Sequence, residues 1–465
     1  MEIKDLQRKL VAVLGYGQEG KAVTSYLIKH GIKLVLFDQK SWKDWDEIEK
    51  LEIRKLGVNF IFGPDCFKEL KGFDAAFRSP GIKLSDIGPN IPLGHNAFKG
   101  RGESSAGMTI SSQTKWFFEH CPCKIIGVTG TKGKGTTASL ISEILKMQCQ
   151  ISNFKFQIHL TGNIGKIQPL EILDELKPDD YVVYELSSFQ LQDLTQSPHI
   201  AVVLMVTSEH LDYHTDQKEY VDAKSAITRL QTADDFAVIN SDYPNSVKIG
   251  ELGKGKKVYF NRQTELSDIL ETKDLQLRGA HNLENVRAAV SVGKILGIPD
   301  DIIRKAVMGF KGLEHRLEFV AEKNGVKFYN DSFSTTPETA IAAIEAFIEP
   351  EILILGGSSK NSDFTELGKT IAAKKNIKAV ILIGQEAGKI KSAIKTLTPN
   401  PSPRGRGETL AILEGAKNMA EIFEQIKSVA APGDVVLLSP ACASFGMFKS
   451  YVDRGNQFKD AVKSF

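Results

Sequence analysis

Three times along the chain an apolar run ends in glycine and gives way to a helical stretch. Leu10-Val11-Ala12-Val13-Leu14 meets Gly15, Lys124-Ile125-Ile126-Gly127-Val128 leads to Gly130, and Glu351-Ile352-Leu353-Ile354-Leu355 meets Gly356-Gly357. A strand that is apolar on both faces needs cover on both faces, and helices between successive strands supply it. The rhythm therefore predicts parallel sheets covered by helices, the α/β class. Further runs extend each block: Lys33–Phe37 in the first, Tyr181–Tyr184 and Ala201–Met205 in the second, Ala379–Ile383 and Asp434–Leu438 in the third. The 465 residues exceed what one core accommodates. Three domains are expected, over residues 1–110, 111–312 and 313–465.

Composition narrows the classes of partner. Lys plus Arg is 59 against 57 for Asp plus Glu, a net charge of +2, so no global field draws the chain to nucleic acid or an anionic membrane. No apolar stretch reaches the roughly 18 residues of a membrane span, and Met1-Glu2-Ile3-Lys4-Asp5 lacks the apolar segment of a secretory signal. Five cysteines, Cys66, Cys121, Cys123, Cys149 and Cys442, show no repeated spacing for a disulfide framework. Cys121-Pro122-Cys123 is too tight for the usual zinc pair, and no second pair follows. A reduced, cytoplasmic, monomeric protein is expected. Gly94–Gly107 and Thr398–Thr409 share Gly-Arg-Gly-Glu and are expected as surface loops rather than nucleic-acid contacts.

Gly15-Tyr16-Gly17-Gln18-Glu19-Gly20 follows the first run and opens a helix, with Asp38 closing the next strand. That context suits a dinucleotide site, in which helix amides hold a diphosphate and the acid a ribose. It also suits a different nucleotide, or a tight turn with no ligand at all. Gly130-Thr131-Lys132-Gly133-Lys134-Gly135-Thr136-Thr137 says more. Its glycines let amides turn inward around phosphates, and Lys134 adds a positive charge beside the transferred group. The loop departs from a strict Walker sequence, since Val128 stands where the first glycine would be and Gly135 where a magnesium-binding hydroxyl is usual. Thr136 is the nearest substitute. Glu185, closing a buried strand, supplies a hard oxygen ligand, and Thr207–His214 adds a cluster of His and acids after the next strand.

The loop Gly130–Thr137, Glu185-Leu186-Ser187-Ser188-Phe189-Gln190-Leu191, His210-Leu211-Asp212, Gly279–Asn285, His315-Arg316 and Asn330-Asp331-Ser332 occur in the order found in Mur ligases. With Ser79-Pro80-Gly81 and Leu438–Phe445, the whole chain resembles that family and looks like its MurD branch. The resemblance implies a Rossmann-like N-terminal domain, a central P-loop ATPase-type parallel-sheet domain and a Rossmann-like C-terminal domain. It implies an ATP-dependent amide ligation through an acyl phosphate, joining glutamate to UDP-N-acetylmuramoyl-L-alanine with two Mg²⁺ sites.

By that resemblance, Gln18, Glu19, Asp38, Gln39, Ser79, Pro80, Gly81 and Asn163 would contact the UDP substrate. Gly130, Thr131, Lys132, Gly133, Lys134, Gly135, Thr136 and Thr137 would hold ATP phosphates, and Asn282, Asn285, Arg316 and Asp331 its adenosine. Metal would sit on Thr136, Glu185, His210 and Lys224, the last once carbamylated; Lys134, His210 and Lys224 would carry the chemistry. Lys360, Ser444 and Tyr451 would grip the glutamate. Phe333 replaces a lysine common in the family, and Gly446 replaces an Asp. These departures leave D- against L-glutamate open. A nicotinamide oxidoreductase, resting on Gly15–Gly20 and Asp38, is the alternative from another class.

Overall fold

The structure, a computed structural model, describes residues 1–87, 107–152, 156–164, 167–207, 216–266, 269, 275–359, 362–397 and 410–465. His210, Lys360 and most of both Gly-Arg segments lie outside these residues. The chain divides into two compact units, Met1–Ile269 with Glu284–Ile303, and Leu270–Leu283 with Arg304–Phe465.

The first unit holds two parallel sheets. One is built from β1 (Val11–Leu14), β2 (Leu34–Asp38), β3 (Asn59–Phe62), β4 (Ala75–Arg78) and β5 (Thr109–Ser111), in the order β3-β2-β1-β4-β5. The winding direction reverses between β1 and β4. The turns after these two strands, Gly15–Gly20 and Ser79–Gly81, therefore open side by side, where doubly wound sheets take ligands. The other sheet comprises β6 (Lys124–Thr129), β7 (Ile158–Gly162), β8 (Tyr181–Glu185), β9 (Ile200–Val203), β10 (Phe236–Asn240) and β11 (Lys256–Phe260), in the order β11-β10-β9-β6-β8-β7. Its reversal lies beside β6, so the loop from Gly130 opens next to the end of β8, with Val128 registered against Glu185.

The helix Gln113–His120 locks these sheets into one unit. Its buried Trp116 and Phe117 meet Phe77 of the first sheet and Tyr184 of the second, at 5.4 and 5.6 Å between ring centroids. Thr114 Oγ1 lies 3.1 Å from the Tyr184 hydroxyl, which gives a buried polar group its partner.

The second unit holds β12 (Glu318–Lys323), β13 (Val326–Asn330), β14 (Glu351–Gly356), β15 (Ile377–Ile383), β16 (Ala411–Leu413) and β17 (Val435–Leu438), ordered β12-β13-β17-β14-β15-β16. β12 runs antiparallel to β13 and the other pairs are parallel. Separate apolar cores cover its two faces. The helix Met419–Val429 shows how: Met419, Ile422, Phe423 and Ile426 share one buried stripe, and the Asn418 side chain accepts the Glu421 amide at 3.0 Å to cap its start.

Candidate active site

The turn after β6 is shaped by glycines that no other residue could replace in place. A Cβ on Gly130, whose φ is +158°, would stand 2.8 Å from Leu204 Cβ. On Gly133, at φ +85°, it would meet Asn285 Oδ1 at 2.3 Å. Thr131 donates its amide to the Met205 carbonyl at 2.6 Å and accepts the Thr207 amide on Oγ1 at 2.9 Å, tying the turn to the segment after β9. Thr137 Oγ1 donates to Asn285 Oδ1 at 3.2 Å. Asn285 thus braces the loop from beneath as well as standing among the expected adenosine contacts. Thr136 and Gly135 are buried at the start of the helix Lys134–Ser152, and Lys132 is exposed.

Two ammonium groups converge on this turn. Lys134 Nζ donates to the Gly130 and Thr131 carbonyls, both at 3.0 Å. Lys224, buried at the end of the helix Gln217–Lys224, donates to the same Gly130 carbonyl at 3.1 Å and to Thr129 Oγ1 at 3.3 Å. Sharing one acceptor places the two nitrogens no more than about 6 Å apart, where like charges repel by roughly 3 kcal/mol at a partly buried dielectric. Glu185 is buried at the end of β8, and its carbonyl accepts the amide of the exposed Asn163 at 3.3 Å.

The turn after β1 has a similar backbone but different occupants. Asp38 Oδ2 accepts the Tyr16 amide at 2.7 Å and Oδ1 accepts the Lys40 amide at 2.8 Å. Glu19 is directed away from solvent: its Oε1 accepts Gln190 Nε2 at 2.7 Å, and burial, the largest influence, raises its carboxyl above the ordinary value. Gln18, Gln39 and Gly81 are exposed, and Ser79 Oγ donates to the Gly15 carbonyl at 3.0 Å. Beneath the Ser79-Pro80-Gly81 turn, the fully buried Arg78 pairs with Asp193, Nε to Oδ2 at 3.1 Å, and donates to the Ile82 carbonyl.

In the second unit, Asp331 accepts Ser439 Oγ at 2.7 Å and the Leu317 amide at 3.0 Å, yet complete burial lifts its carboxyl to about 7. Asn282 Nδ2 donates to the Arg278 carbonyl at 2.7 Å. The Arg316 guanidinium lies 4.4 Å from the Phe333 ring centre, and Phe333 meets Tyr451 edge-on at 5.1 Å. Ser444 is buried, one residue after the bridge between Ala443 and Ser358 that brings the turns after β14 and β17 together. A Cβ on Gly357 would meet the Ala443 carbonyl oxygen at 2.1 Å, so that approach needs glycine.

Comparison with known proteins decides the family. Residues 128–293 match the Mur ligase middle domain, and residues 315–442 match the Mur ligase, glutamate ligase domain. The UDP-N-acetylmuramoylalanine–D-glutamate ligase of Acetivibrio thermocellus is 38% identical, over 99% of this chain and 97% of its own. The enzyme of that name from Pelotomaculum thermopropionicum is 35% identical, over 99% of both chains. The chain belongs to the Mur ligase family. Solved structures of Mur ligases share its fold: the MurC UDP-N-acetylmuramate–alanine ligase of Thermotoga maritima has a TM-score of 0.57 at 17% identity, covering 98% of this chain and all of that one. MurF from the same organism, in complex with ADP, has a TM-score of 0.55 at 17% identity, covering 100% and 97%. Nothing in these likenesses supports the oxidoreductase alternative.

Within this Mur ligase the geometry also shows residues that motif reading missed. Arg78 shapes the Ser79–Gly81 turn from below; a charged residue ending the apolar run Ala75-Ala76-Phe77 was its only sequence signal. Asp193 gave no signal as its partner, and Gln190, though part of a motif, gave none of its tie to Glu19, because each contact spans more than a hundred residues. Arg454, fully buried, donates to the Ser332 and Cys442 carbonyls at 2.9 and 3.2 Å, holding the Asp331 and Ser444 turns in one frame. No helix among the described residues is long and apolar enough to cross a membrane.

Proposed function

We propose that the chain is an ATP-dependent ligase that joins D-glutamate to UDP-N-acetylmuramoyl-L-alanine. The observation that carries the ATP half is the meeting of Lys134 and Lys224 at one carbonyl of an open glycine turn. The choice of D-glutamate and of the UDP-linked acceptor rests on relatives of that name that match the chain from end to end.

In this reading, Gly130–Thr137 holds the ATP phosphates through inward amides, and Lys134 neutralises the charge gathered on the γ-phosphoryl group. The substrate carboxylate attacks that phosphorus and ADP leaves, giving an acyl phosphate. The glutamate amine then attacks the acyl carbon, and the tetrahedral intermediate expels phosphate. Positioning supplies most of the acceleration, since neither step needs a protein nucleophile. Asn282, Asn285, Arg316 and Asp331 are assigned to adenosine, and Lys360, Ser444 and Tyr451 to the incoming amino acid. Gln18, Asp38, Gln39, Ser79, Pro80, Gly81 and Asn163 are assigned to the UDP substrate, with Glu19 acting through Gln190.

The donors fit Mg²⁺ in the form it takes beside nucleotide phosphates, one or two carboxylates completed by phosphate and water. Glu185 at the end of β8 and the Thr136 hydroxyl at the start of the helix Lys134–Ser152 are hard oxygen donors. Among the described residues no group of three or more His, Cys, Asp and Glu forms a cage of its own. Thr136, Glu185, His210 and a carbamylated Lys224 would together hold the metal, with two ions expected. Bound there, Mg²⁺ would neutralise phosphate charge. Carbamylation would turn the second ammonium at the Gly130 carbonyl into an anionic oxygen donor.

Incubation with ATP, Mg²⁺, UDP-N-acetylmuramoyl-L-alanine and each glutamate enantiomer tests the proposal. Phosphate release is expected with D-glutamate and not with L-glutamate. Release with L-glutamate alone would reassign the amino acid, and release with neither would refute the ligation.

A further inference from the structure

Cys121-Pro122-Cys123 joins the helix Gln113–His120 to β6, and no step of the ligation uses it. The Cys121 amide closes the helix on the Phe117 carbonyl at 2.8 Å, and β6 begins at Lys124. The two Sγ atoms are 3.5 Å apart, and Cys121 Sγ lies 3.6 Å from the Cys123 carbonyl oxygen. Both side chains rest on the rim of the first unit's core and keep partial exposure, whereas Cys66 and Cys442 are buried.

We propose that Cys121 and Cys123 are a modification site, a dithiol that closes to an intramolecular disulfide when it meets a low-molecular-weight disulfide. Residues two apart have Cα atoms no more than about 7 Å apart, so the span lies within or just above the roughly 4.4–6.8 Å that disulfides bridge. The sulfurs need only approach from 3.5 Å to bonding distance, which side-chain rotation supplies. Pro122 fixes its own φ, so the connector gives up little freedom on closing.

The two sulfurs share a proton across the 3.5 Å gap, and that interaction holds Cys121 below its ordinary value while it drives Cys123 upward, so the pair gives up one proton more readily than two. Burial pushes Cys66 up to about 11 and raises Cys149, so neither competes as a thiolate.

The step balances. One thiolate of the pair attacks one sulfur of R–S–S–R, forming a mixed disulfide and releasing R–S⁻. The other cysteine, losing its proton to that leaving thiolate, attacks the protein sulfur of the mixed disulfide and expels the second R–S⁻, which takes a proton from water. Two protein thiols are oxidised and one small disulfide is reduced to two thiols.

The full-length protein would be equilibrated in a series of glutathione redox buffers, quenched with an alkylating agent and mapped by peptide mass. The peptide holding residues 121–123 is expected to lose two hydrogens and escape alkylation at ratios where Cys66, Cys149 and Cys442 are still alkylated. Cys123→Ser and Cys121→Ser should each accumulate a lasting glutathione adduct on the cysteine that remains, because no second thiol resolves it. Alkylation of Cys121 and Cys123 alongside the other three at every ratio would overturn the proposal. So would a lasting glutathione adduct on the unsubstituted pair. None of these readouts depends on ligase activity.

Discussion

The turns after β1 and after β6 start from the same backbone plan and end as different devices. Each follows a buried parallel strand, uses a left-handed glycine, Gly15 at φ +84° or Gly133 at φ +85°, and opens a helix at a reversal in strand order. In the first, Asp38 occupies two amides and Glu19 is buried against Gln190. In the second, lysines take the place of those acids: Lys134 and Lys224 meet at the Gly130 carbonyl. A glycine turn by itself therefore states where a ligand can approach. The charges placed around it state which ligand.

The largest expected effect lies beneath the first turn. Arg78→Met would leave Asp193 buried without its cation and lower unfolding stability by about 3–5 kcal/mol in denaturant titration, with Asp193→Leu added to it restoring much of the loss. An unchanged midpoint would remove this pair from the account. Lys134→Ala comes next, with kcat/KM expected to fall by about 10²–10³-fold in a phosphate-release assay at little cost in stability. If turnover survived, the second turn would be no better a phosphate cradle than the first.

Glycine substitutions sharpen the comparison further. A Cβ on Gly20 would stand 1.8 Å from the Gly15 carbonyl oxygen, whereas one on Gly17 would meet nothing within 4 Å. Gly20→Ala should cost about 1–3 kcal/mol by overpacking, and Gly17→Ala should stay within about 0.5 kcal/mol of the parent. Equal effects on thermal unfolding would contradict the close approach seen in the first turn.

The smallest effect is one of pH. Glu19 holds its proton more tightly folded than unfolded, so between its ordinary value of 4.5 and its raised value the native state binds more protons. That contribution to stability is present at low pH and is lost as pH rises through the raised value. Glu19→Gln keeps a neutral side chain of similar shape, and its unfolding midpoint should fall less between pH 4.5 and neutrality than the parent's. Parallel curves would mean that Glu19 titrates normally.

Much of this was legible beforehand, for identifiable reasons. The runs at Leu10–Leu14, Lys124–Val128 and Glu351–Leu355 reported buried strands because parallel strands are apolar on both faces. The glycine turn after β6 was legible because Gly130, Gly133 and Lys134 stand within one stretch of chain. Arg454 and the Arg78–Asp193 pair were not, since their partners are set by how distant elements pack. Glu19 was expected to contact ligand beside Gln18; the hydrogen bond it accepts from Gln190, brought there by packing between the first two sheets, was not legible in the sequence.

The central claim is that the two turns serve different anionic ligands. Equilibrium binding of UDP-N-acetylmuramoyl-L-alanine and of a non-hydrolysable ATP analogue, measured calorimetrically on the parent, Asp38→Ala and Lys134→Ala, tests it most directly. The account predicts a crossed result: Asp38→Ala weakens only the UDP ligand, and Lys134→Ala weakens only the ATP analogue. Equal weakening of both ligands by either variant, or the reverse assignment, would contradict it.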